Sequence, residues 1–360
     1  MLQKSSKPQA RQSNIELLRI LAIVGVIILH FNNRDMGGGF TYVAANSVNE
    51  WLLRIMESLF ACAVNVFILI SGYFMCATNK RNIIKPVQLI VQVIAFSAGT
   101  YMLFLIIGKE TFSIKSMIGS LVPNNYFAVL YVTLYLISPY INVLMLKLSE
   151  TKRTQFLLLL FLLFSVWPSF VDVFTVLVHS NRNWNGLSTI GAWGSQWGYT
   201  IVNFCLLYII GAYIGLRQNK GRHYKTIYLF LVLCTLITLL TVWSKVDENT
   251  AWEYCSPLVI AESIILFLIF LRIPMGNNKV INRLARAAFS VFLLHSSLVP
   301  YAGIEKLTQE NALLLWGGYC LAAAMIYLLC WPVYEIYNKL TSWIWQRLSR
   351  KIPFSIDLEN

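Results

Sequence analysis

Charged residues are scarce in this chain. They make up 12% of its 360 residues, whereas hydrophobic residues make up 57%, and the mean hydropathy is +0.62. Soluble globular domains carry about twice that charged fraction, so the composition excludes an ordinary water-soluble enzyme or binding domain. It predicts an all-α fold, a polytopic integral membrane bundle of about ten transmembrane helices.

Patterns that hold metals or disulfides are also missing. The seven Cys residues show no CxxC spacing, and only four His residues are present. This excludes a zinc-finger-like site and a disulfide framework. All of the Cys residues except Cys255 lie in apolar segments, where a free Cys packs as a small hydrophobic residue. We therefore predict no metal.

Acidic residues are fewer than basic ones, 16 against 29, which gives a formal net charge of +13. Such a charge can indicate a nucleic-acid-binding protein. Here, however, the Lys and Arg residues form short clusters between apolar runs, which is typical of membrane topology. We predict no nucleic-acid partner.

Long apolar runs occupy most of the sequence. They predict ten spans, at residues 14–32, 59–77, 87–107, 126–146, 155–172, 199–216, 226–243, 257–271, 286–303 and 312–337. The connecting segments on one side hold roughly three times as many Lys and Arg residues as those on the other, so both termini are predicted to be cytoplasmic. Residues 1–340 would form one transmembrane domain in contact with membrane lipid, and residues 341–360 an amphipathic cytoplasmic tail.

The first span, Asn14 to Phe31, contains ionisable residues despite its apolar character. Arg19 and His30 fall within roughly 20° of the same helix face, and Glu16 lies within about 40° of that face. Because burial favours a neutral imidazole, His30 is the candidate general base. Arg19 would hold a ligand or orient a neighbouring side chain, and Glu16 would orient Arg19. The alternative is that Glu16 and Arg19 are interfacial and that His30 only packs.

The second span carries Ser71, Gly72 and Tyr73 inside its apolar run. Glycine permits close backbone approach and serine can bond across helices, so helix packing is one interpretation and a functional motif is the other. The loop that follows holds Arg81 and Lys85. Their charges suit the phosphates of a nucleotide-like donor, although topology alone also requires positive charge there.

Three Trp residues, Trp184, Trp193 and Trp197, lie in a long predicted outer loop that is rich in Asn, Gly and Ser. Aromatic faces beside amide and hydroxyl groups suit contact with the sugar of an acceptor. The alternative is an interfacial aromatic belt.

Two further ionisable residues lie inside predicted spans. Glu262 is in the eighth span, and an intramembrane carboxylate is a candidate functional residue. His295 ends the ninth span. It has no partner nearby in the sequence, so packing is the favoured interpretation of this histidine.

The first two spans resemble a known family. Arg19 and His30 stand with ten residues between them, and the second span reads Phe-Ile-Leu-Ile-Ser-Gly-Tyr-Phe-Met. The combination is similar to the membrane acyltransferase-3 family, which includes bacterial surface-polysaccharide O-acetyltransferases. The resemblance extends over nearly the whole chain, through the ten spans, the basic loop after the second span and the aromatic start of the fourth.

The resemblance implies transfer of an acyl group, usually acetyl, from cytoplasmic acyl-coenzyme A to a hydroxyl of a surface or lipid-linked polysaccharide. It implies a location in the cytoplasmic membrane of a bacterium. Arg19 and His30 would take the family's two essential polar positions, with Glu16 beside Arg19. Ser71, Gly72 and Tyr73 would form its second-helix motif.

The chain departs from the family pattern at several positions. The basic loop of relatives commonly carries two Arg residues, whereas here Lys85 follows Arg81. Lysine cannot reproduce the bidentate fork of arginine, which bears on their assignment to acetyl-CoA. Relatives commonly have Trp where this chain has Tyr126, and many carry an additional soluble domain. A covalent acyl-enzyme, for instance on Ser71, and direct transfer both remain open.

Two other classes of function are alternatives. A polysaccharide transporter, or flippase, also contains buried charges, but the sequence shows no inverted repeat or paired broken helices. Another envelope-assembly enzyme, such as a polysaccharide polymerase, would be expected to have an Arg-rich outer loop. Binding of coenzyme A separates an acyltransferase from both.

Overall fold

The computed structural model of the protein describes residues 11–178, 184–217, 226–351 and 355–358. Its α-helices are, in chain order, α1 (Ser13–Asn32), α2 (Gly39–Tyr42), α3 (Val48–Phe60), α4 (Ala63–Met75), α5 (Ile84–Ile106), α6 (Ile114–Ser120), α7 (Tyr126–Lys147), α8 (Glu150–Phe161), α9 (Trp167–Leu177), α10 (Ile201–Leu216), α11 (Thr226–Trp243), α12 (Glu248–Ala251), α13 (Pro257–Arg272), α14 (Lys279–Leu284), α15 (Ala288–Leu294), α16 (Ile304–Leu307) and α17 (Ala312–Lys351). Two short strands, β1 (Lys80–Asn82) and β2 (Ser355–Asp357), pair antiparallel. The predicted all-α membrane fold is confirmed.

Seven helical stretches of the described chain are long and apolar enough to cross a membrane, at residues 13–32, 48–75, 84–106, 126–147, 150–177, 226–243 and 312–350. The stretch 150–177 joins α8 to α9 through a π-helical segment, Leu162–Val166. Two of the remaining predicted spans correspond to α10 and α13, which have 16 residues each.

The ninth predicted span is not a continuous helix. α15 ends at Leu294, and 3₁₀ turns follow at His295–Ser297 and Val299–Tyr301. Pro300 contributes to the break because it has no N–H to donate to the carbonyl four residues earlier. The break places His295 directly after a helix end.

The second predicted span begins too late in the sequence. Helix starts at Val48, and α3 leads into α4 through a short turn. α3 is amphipathic and buries Glu50 and Arg54, which form an ion pair with a distance of 2.8 Å. A hydropathy window penalises these charges and therefore misses the helix.

The last helix passes through the predicted boundary between residues 340 and 341 without a break. α17 has 40 residues, about 60 Å of helix, and so extends well beyond a bilayer's hydrocarbon core. After it, β2 pairs with β1, with Arg81 opposite Ile356. Residues 352–354 and 359–360 of the predicted tail lie outside the described residues.

α1 lies at the centre of the bundle, packed against α3, α4, α13, α15 and α17. α4 runs close along α10, where both helices present glycine to the partner backbone. A Cβ atom at Gly72 would overlap the carbonyl oxygen of Tyr208, and one at Gly211 would overlap that of Leu69. Small residues at such a contact let membrane helices pack backbone to backbone.

Candidate active site

Two histidines meet at the core of the bundle. His30, near the end of α1, and His295, in the turn after α15, are 2.5 Å apart between Nδ1 of His30 and Nε2 of His295. Their rings are inclined by 9°, with centroids 4.6 Å apart. A nitrogen contact this short at that centroid distance requires the rings to lie edge to edge in nearly one plane.

The hydrogen bonds of this pair determine which nitrogen carries the proton. Nδ1 of His295 lies 3.1 Å from the carbonyl oxygen of Val291. A carbonyl only accepts, so this nitrogen donates, and Nε2 of a neutral His295 is left as an acceptor. His30 therefore donates from Nδ1 to His295. Its own Nε2 then carries the free lone pair that a general base needs.

Both histidines line a cavity of about 690 Å³, which we call the histidine cavity. Its walls combine aromatic, amide and carboxyl groups with the two imidazoles: Asn33, Asp35, Glu57, Asn125, Tyr126, Trp197, Tyr199, Glu248, Asn249, Trp252, Tyr254 and Phe292. Burial, with Tyr199 alongside, raises the pKa of Tyr254 well above its usual value, so this phenol is a neutral hydrogen-bond donor. The cavity suits a hydroxyl-rich molecule, because aromatic faces and amides supply stacking and hydrogen bonds.

Glu57 is fixed in this cavity by a neighbour of His30 in α1. The side-chain amide of Asn32 donates to Oε2 of Glu57 at 2.7 Å and to the carbonyl oxygen of Leu53 at 3.3 Å. Asn32 is fully buried. The carboxyl group of Glu57 is thus oriented by the same helix that carries His30.

Two further cavities extend from the histidine cavity towards the start of α15. The first, the apolar cavity, has a volume of about 50 Å³ and is lined by Ile23, Val26, Val64, Phe67, Phe127, Phe289 and Phe292. The second, the arginine cavity, has a volume of about 690 Å³ and is lined by Gln88, Leu89, Gln92, Arg286, Phe289, Tyr334, Tyr337, Asn338, Thr341, Ser342, Trp345, Gln346, Ser349 and Arg350. Phe292 lines both the histidine cavity and the apolar cavity, and Phe289 lines both the apolar cavity and the arginine cavity. These two side chains therefore separate three consecutive spaces.

Arg19 and Glu16 lie away from the histidines, in the first half of α1. Nη1 of Arg19 is 3.4 Å from both carboxylate oxygens of Glu16, a contact through which Glu16 can orient Arg19. Arg19 precedes Ile23 of the apolar cavity by four residues and His30 by eleven, so the three lie on one helix face. About 16 Å of helix rise separates Arg19 from His30, which excludes a direct contact.

The second-helix motif packs helices and does not line the histidine cavity. Ser71 donates from Oγ to the carbonyl of Phe67 at 2.9 Å and pairs with the Tyr131 hydroxyl at 3.2 Å. Gly72 faces the α10 backbone, and the Tyr73 ring packs against neighbouring aromatic rings. These contacts favour the packing interpretation of the three residues, and none of them is among the residues that line the histidine cavity.

Arg81 is buried and fully hydrogen-bonded within the protein. Its guanidinium donates to Ser138, Thr78 and Tyr208 and to backbone carbonyls, with distances from 2.8 to 3.3 Å. Every N–H group of the side chain has a protein acceptor, and the residue is 3% exposed. In this arrangement the guanidinium of Arg81 has no free N–H group for a phosphate, and its contact with acyl-CoA stays a prediction. Lys85 is exposed and lines none of the three cavities.

The three predicted acceptor-binding Trp residues occupy different places. Trp197 lines the histidine cavity. Trp193 is 78% exposed, and Trp184 packs against Phe174 with ring centroids 6.2 Å apart. Only Trp197 of the three is therefore in position to meet a molecule bound beside the histidines.

Several cavity residues were missed or assigned to packing from the sequence. His295 carried a usable signal, since a second imidazole in an apolar segment can meet the first. Glu57 gave no signal because residues 33–58, which include α3, were predicted to lie between two spans, and nothing in the sequence distinguished Asn32 at the end of the first span. Glu262, flagged as an intramembrane carboxylate, is fully buried and lines none of the three cavities. Among the described residues no group of three potential metal ligands occurs.

Comparisons with known proteins gave one match. The sequence profile described as "Acyltransferase domain", that of the Acyl_transf_3 family, matches residues 12–335. Neither the search of curated proteins nor that of solved structures found a match. The matched residues include His30 in α1 and His295 in the turn after α15.

Proposed function

Because the chain belongs to the membrane acyltransferase-3 family, and is therefore a membrane acyltransferase, we propose that it transfers an acetyl group from cytoplasmic acetyl-CoA to a hydroxyl of a cell-surface or lipid-linked polysaccharide. The observation that carries this proposal is the hydrogen-bonded pair of His295 and His30, in which Nδ1 of His30 is engaged and Nε2 is left as the acceptor, beside a cavity with aromatic and amide walls.

His30 would act as the general base. The acceptor hydroxyl gives its proton to Nε2 of His30 while its oxygen attacks the thioester carbonyl. The carbon–sulfur bond then breaks, and the coenzyme A thiolate takes the proton from His30. His295 keeps the imidazole oriented by accepting from its Nδ1. Direct transfer needs no other nucleophile, and Ser71 is engaged elsewhere.

The arginine cavity is the better candidate for the coenzyme A head group. Arg286 and Arg350 supply charge for phosphates, and Tyr334 and Trp345 offer faces on which an adenine can stack. We propose that the uncharged pantetheine arm passes through the apolar cavity. Phe289 and Phe292 must rotate to admit it, because that cavity is now only about 50 Å³.

The two remaining predictions for α1 fit this route. Arg19 would face the donor within the bundle, on the same helix face as His30, and Glu16 would hold Arg19 in place. A flippase is less well supported, since an apolar constriction of about 50 Å³ does not suit the passage of a whole sugar.

The test is transfer of radiolabel from acetyl-CoA to glycan in membrane vesicles from cells that express the wild type, His30→Ala or His223→Ala. The last is the matched control, the same substitution in the predicted cytoplasmic segment 217–225. We expect label with the wild type and the control and at least a 100-fold loss with His30→Ala. Retained transfer by a normally inserted His30→Ala protein would overturn the assignment of the base. Failure of the wild type both to transfer label and to bind coenzyme A would overturn the function.

A further inference from the structure

Resting on the proposed function, we infer that the histidine cavity accepts an uncharged, hydroxyl-rich sugar residue and selects against sugars that bear a carboxylate or phosphate. Glu57, positioned by Asn32, would bind the hydroxyls of that sugar next to His30. The charge distribution and the free hydrogen-bonding positions of the cavity carry this inference.

The first step concerns the charges around the cavity. Among the described residues that line it there is no Lys or Arg, whereas Asp35, Glu57 and Glu248 do line it. Glu248 is compensated from outside, by ion pairs of 2.9 Å with Arg34 and 2.8 Å with Arg54. Within the described part of the chain, no Lys or Arg forms an ion pair with the other two carboxyl groups. An anionic acceptor would therefore find no Lys or Arg to pair with among the described residues of the cavity wall.

The second step concerns the free capacity of Glu57. Asn32 uses its amide on Oε2 of Glu57 and on the carbonyl of Leu53, which fixes the plane of the carboxyl group. Oε1 of Glu57 accepts no hydrogen bond from the described residues and borders the cavity. A carboxyl oxygen held this way can accept from a sugar hydroxyl.

The third step concerns the aromatic walls. Trp197, Trp252 and Tyr126 border the same space as Glu57 and His30. Their faces can stack on the C–H face of a pyranose while Glu57 accepts from its hydroxyls. The base His30, the hydrogen-bond acceptor Glu57 and the aromatic faces can then contact one sugar ring. None of these groups supplies a positive charge to bind an anionic sugar.

The experiment compares two probes that differ by one charged group, methyl β-D-glucopyranoside and methyl β-D-glucopyranosiduronate. Binding to the purified full-length protein is followed by the fluorescence of its Trp residues, and acetyl transfer from acetyl-CoA is measured in the same preparation. Glu57→Gln replaces the ionisable carboxyl group but keeps an oxygen for Asn32 to bond. Glu305→Gln is the matched control, because it removes an exposed carboxylate that does not line the cavity.

We expect the wild type and Glu305→Gln to bind the neutral glycoside at least tenfold more tightly than the uronate. Glu57→Gln should bring that ratio below threefold. Equal binding of the two probes by the wild type, an unchanged ratio in Glu57→Gln, or binding of neither probe would overturn the inference. Selective binding without acetyl transfer would support the sugar site and count against the proposed reaction. Equal acetyl transfer to both probes would support the reaction and overturn the inferred selectivity.

Discussion

The two histidines of the cavity have the same side chain but different roles. A chain of hydrogen bonds runs from the Val291 carbonyl through His295 to His30 and ends at a free lone pair. His30 is therefore the residue placed to touch the acceptor, and His295 is a positioning residue that selects its tautomer. The arrangement resembles that of a catalytic base oriented by a third group.

Substitution of His295 tests this division of roles. Glutamine offers an oxygen near the position of Nε2 and can still accept from His30, whereas leucine cannot. We expect His295→Gln to keep kcat within about tenfold of the wild type and His295→Leu to lower it about 100-fold. Neither His295→Gln nor His295→Leu should change the KM for acetyl-CoA. An unchanged KM would show that the loss of kcat comes from positioning of His30 and not from damage to the donor site. Equal activity of the two variants would contradict the proposed role.

At the scale of elements, hydropathy was a good guide to α1, α5, α7 and α11 and a poor one to α3. The buried ion pairs of α3 lower its apparent hydropathy, although protein surrounds them in the folded bundle. The broken helix at His295 was also missed, because a span was assumed to be continuous. Glu57 lies in α3 and His295 lies in the turn after α15. These are the two places where hydropathy failed to predict the helices.

The contact between α4 and α10 gives a prediction at the same scale. A Cβ at Gly72 would overlap the Tyr208 carbonyl oxygen, whereas one at Gly99 in α5 meets nothing within 4 Å. We expect Gly72→Ala to lower the free energy of unfolding by about 1–3 kcal/mol, since backbone cannot move aside as a side chain can. Gly99→Ala should leave it unchanged or raise it by up to about 1 kcal/mol. Thermal unfolding of the purified variants in detergent measures both.

If Gly72→Ala unfolds at the same temperature as the wild type but loses activity, the packing interpretation of the second-helix motif is wrong. A parallel loss of stability and activity supports it.

At the scale of the whole molecule, the three cavities are lined by segments that are far apart in the sequence. The arginine cavity takes one wall from α17 beyond residue 340, so the segment predicted as a separate tail completes this space. The tail and the transmembrane domain are therefore one unit in the region where we propose that the donor binds.

Arg350 and Arg347 provide a matched pair for testing this wall. Both are exposed on α17, but only Arg350 lines the arginine cavity. We expect Arg350→Gln to raise the KM for acetyl-CoA about three- to tenfold with little change in kcat, as befits one partly solvated charge. Arg347→Gln should change neither constant. Initial-rate kinetics over a range of acetyl-CoA concentrations measure kcat and KM for both variants. Equal effects of the two substitutions would contradict the proposed donor site.

The sequence alone could predict one side of the candidate site but not its assembly. Arg19, His30 and Ile23 belong to one helix, so helical periodicity places them on one face. His295 is 265 residues from His30, and no local pattern shows that a broken helix brings them together. The burial of Arg81 could not be predicted for a similar reason, since its acceptors Ser138 and Tyr208 come from distant helices.

The apolar cavity has a consequence for the membrane itself. A volume of about 50 Å³ between aromatic side chains has room for no more than one or two water molecules, and its walls offer them no hydrogen bonds. No continuous file of water can then connect the two larger cavities, so protons and ions have no conduit along this route. The bundle can thus stay electrically sealed while a small uncharged group crosses it, and the membrane potential would be preserved.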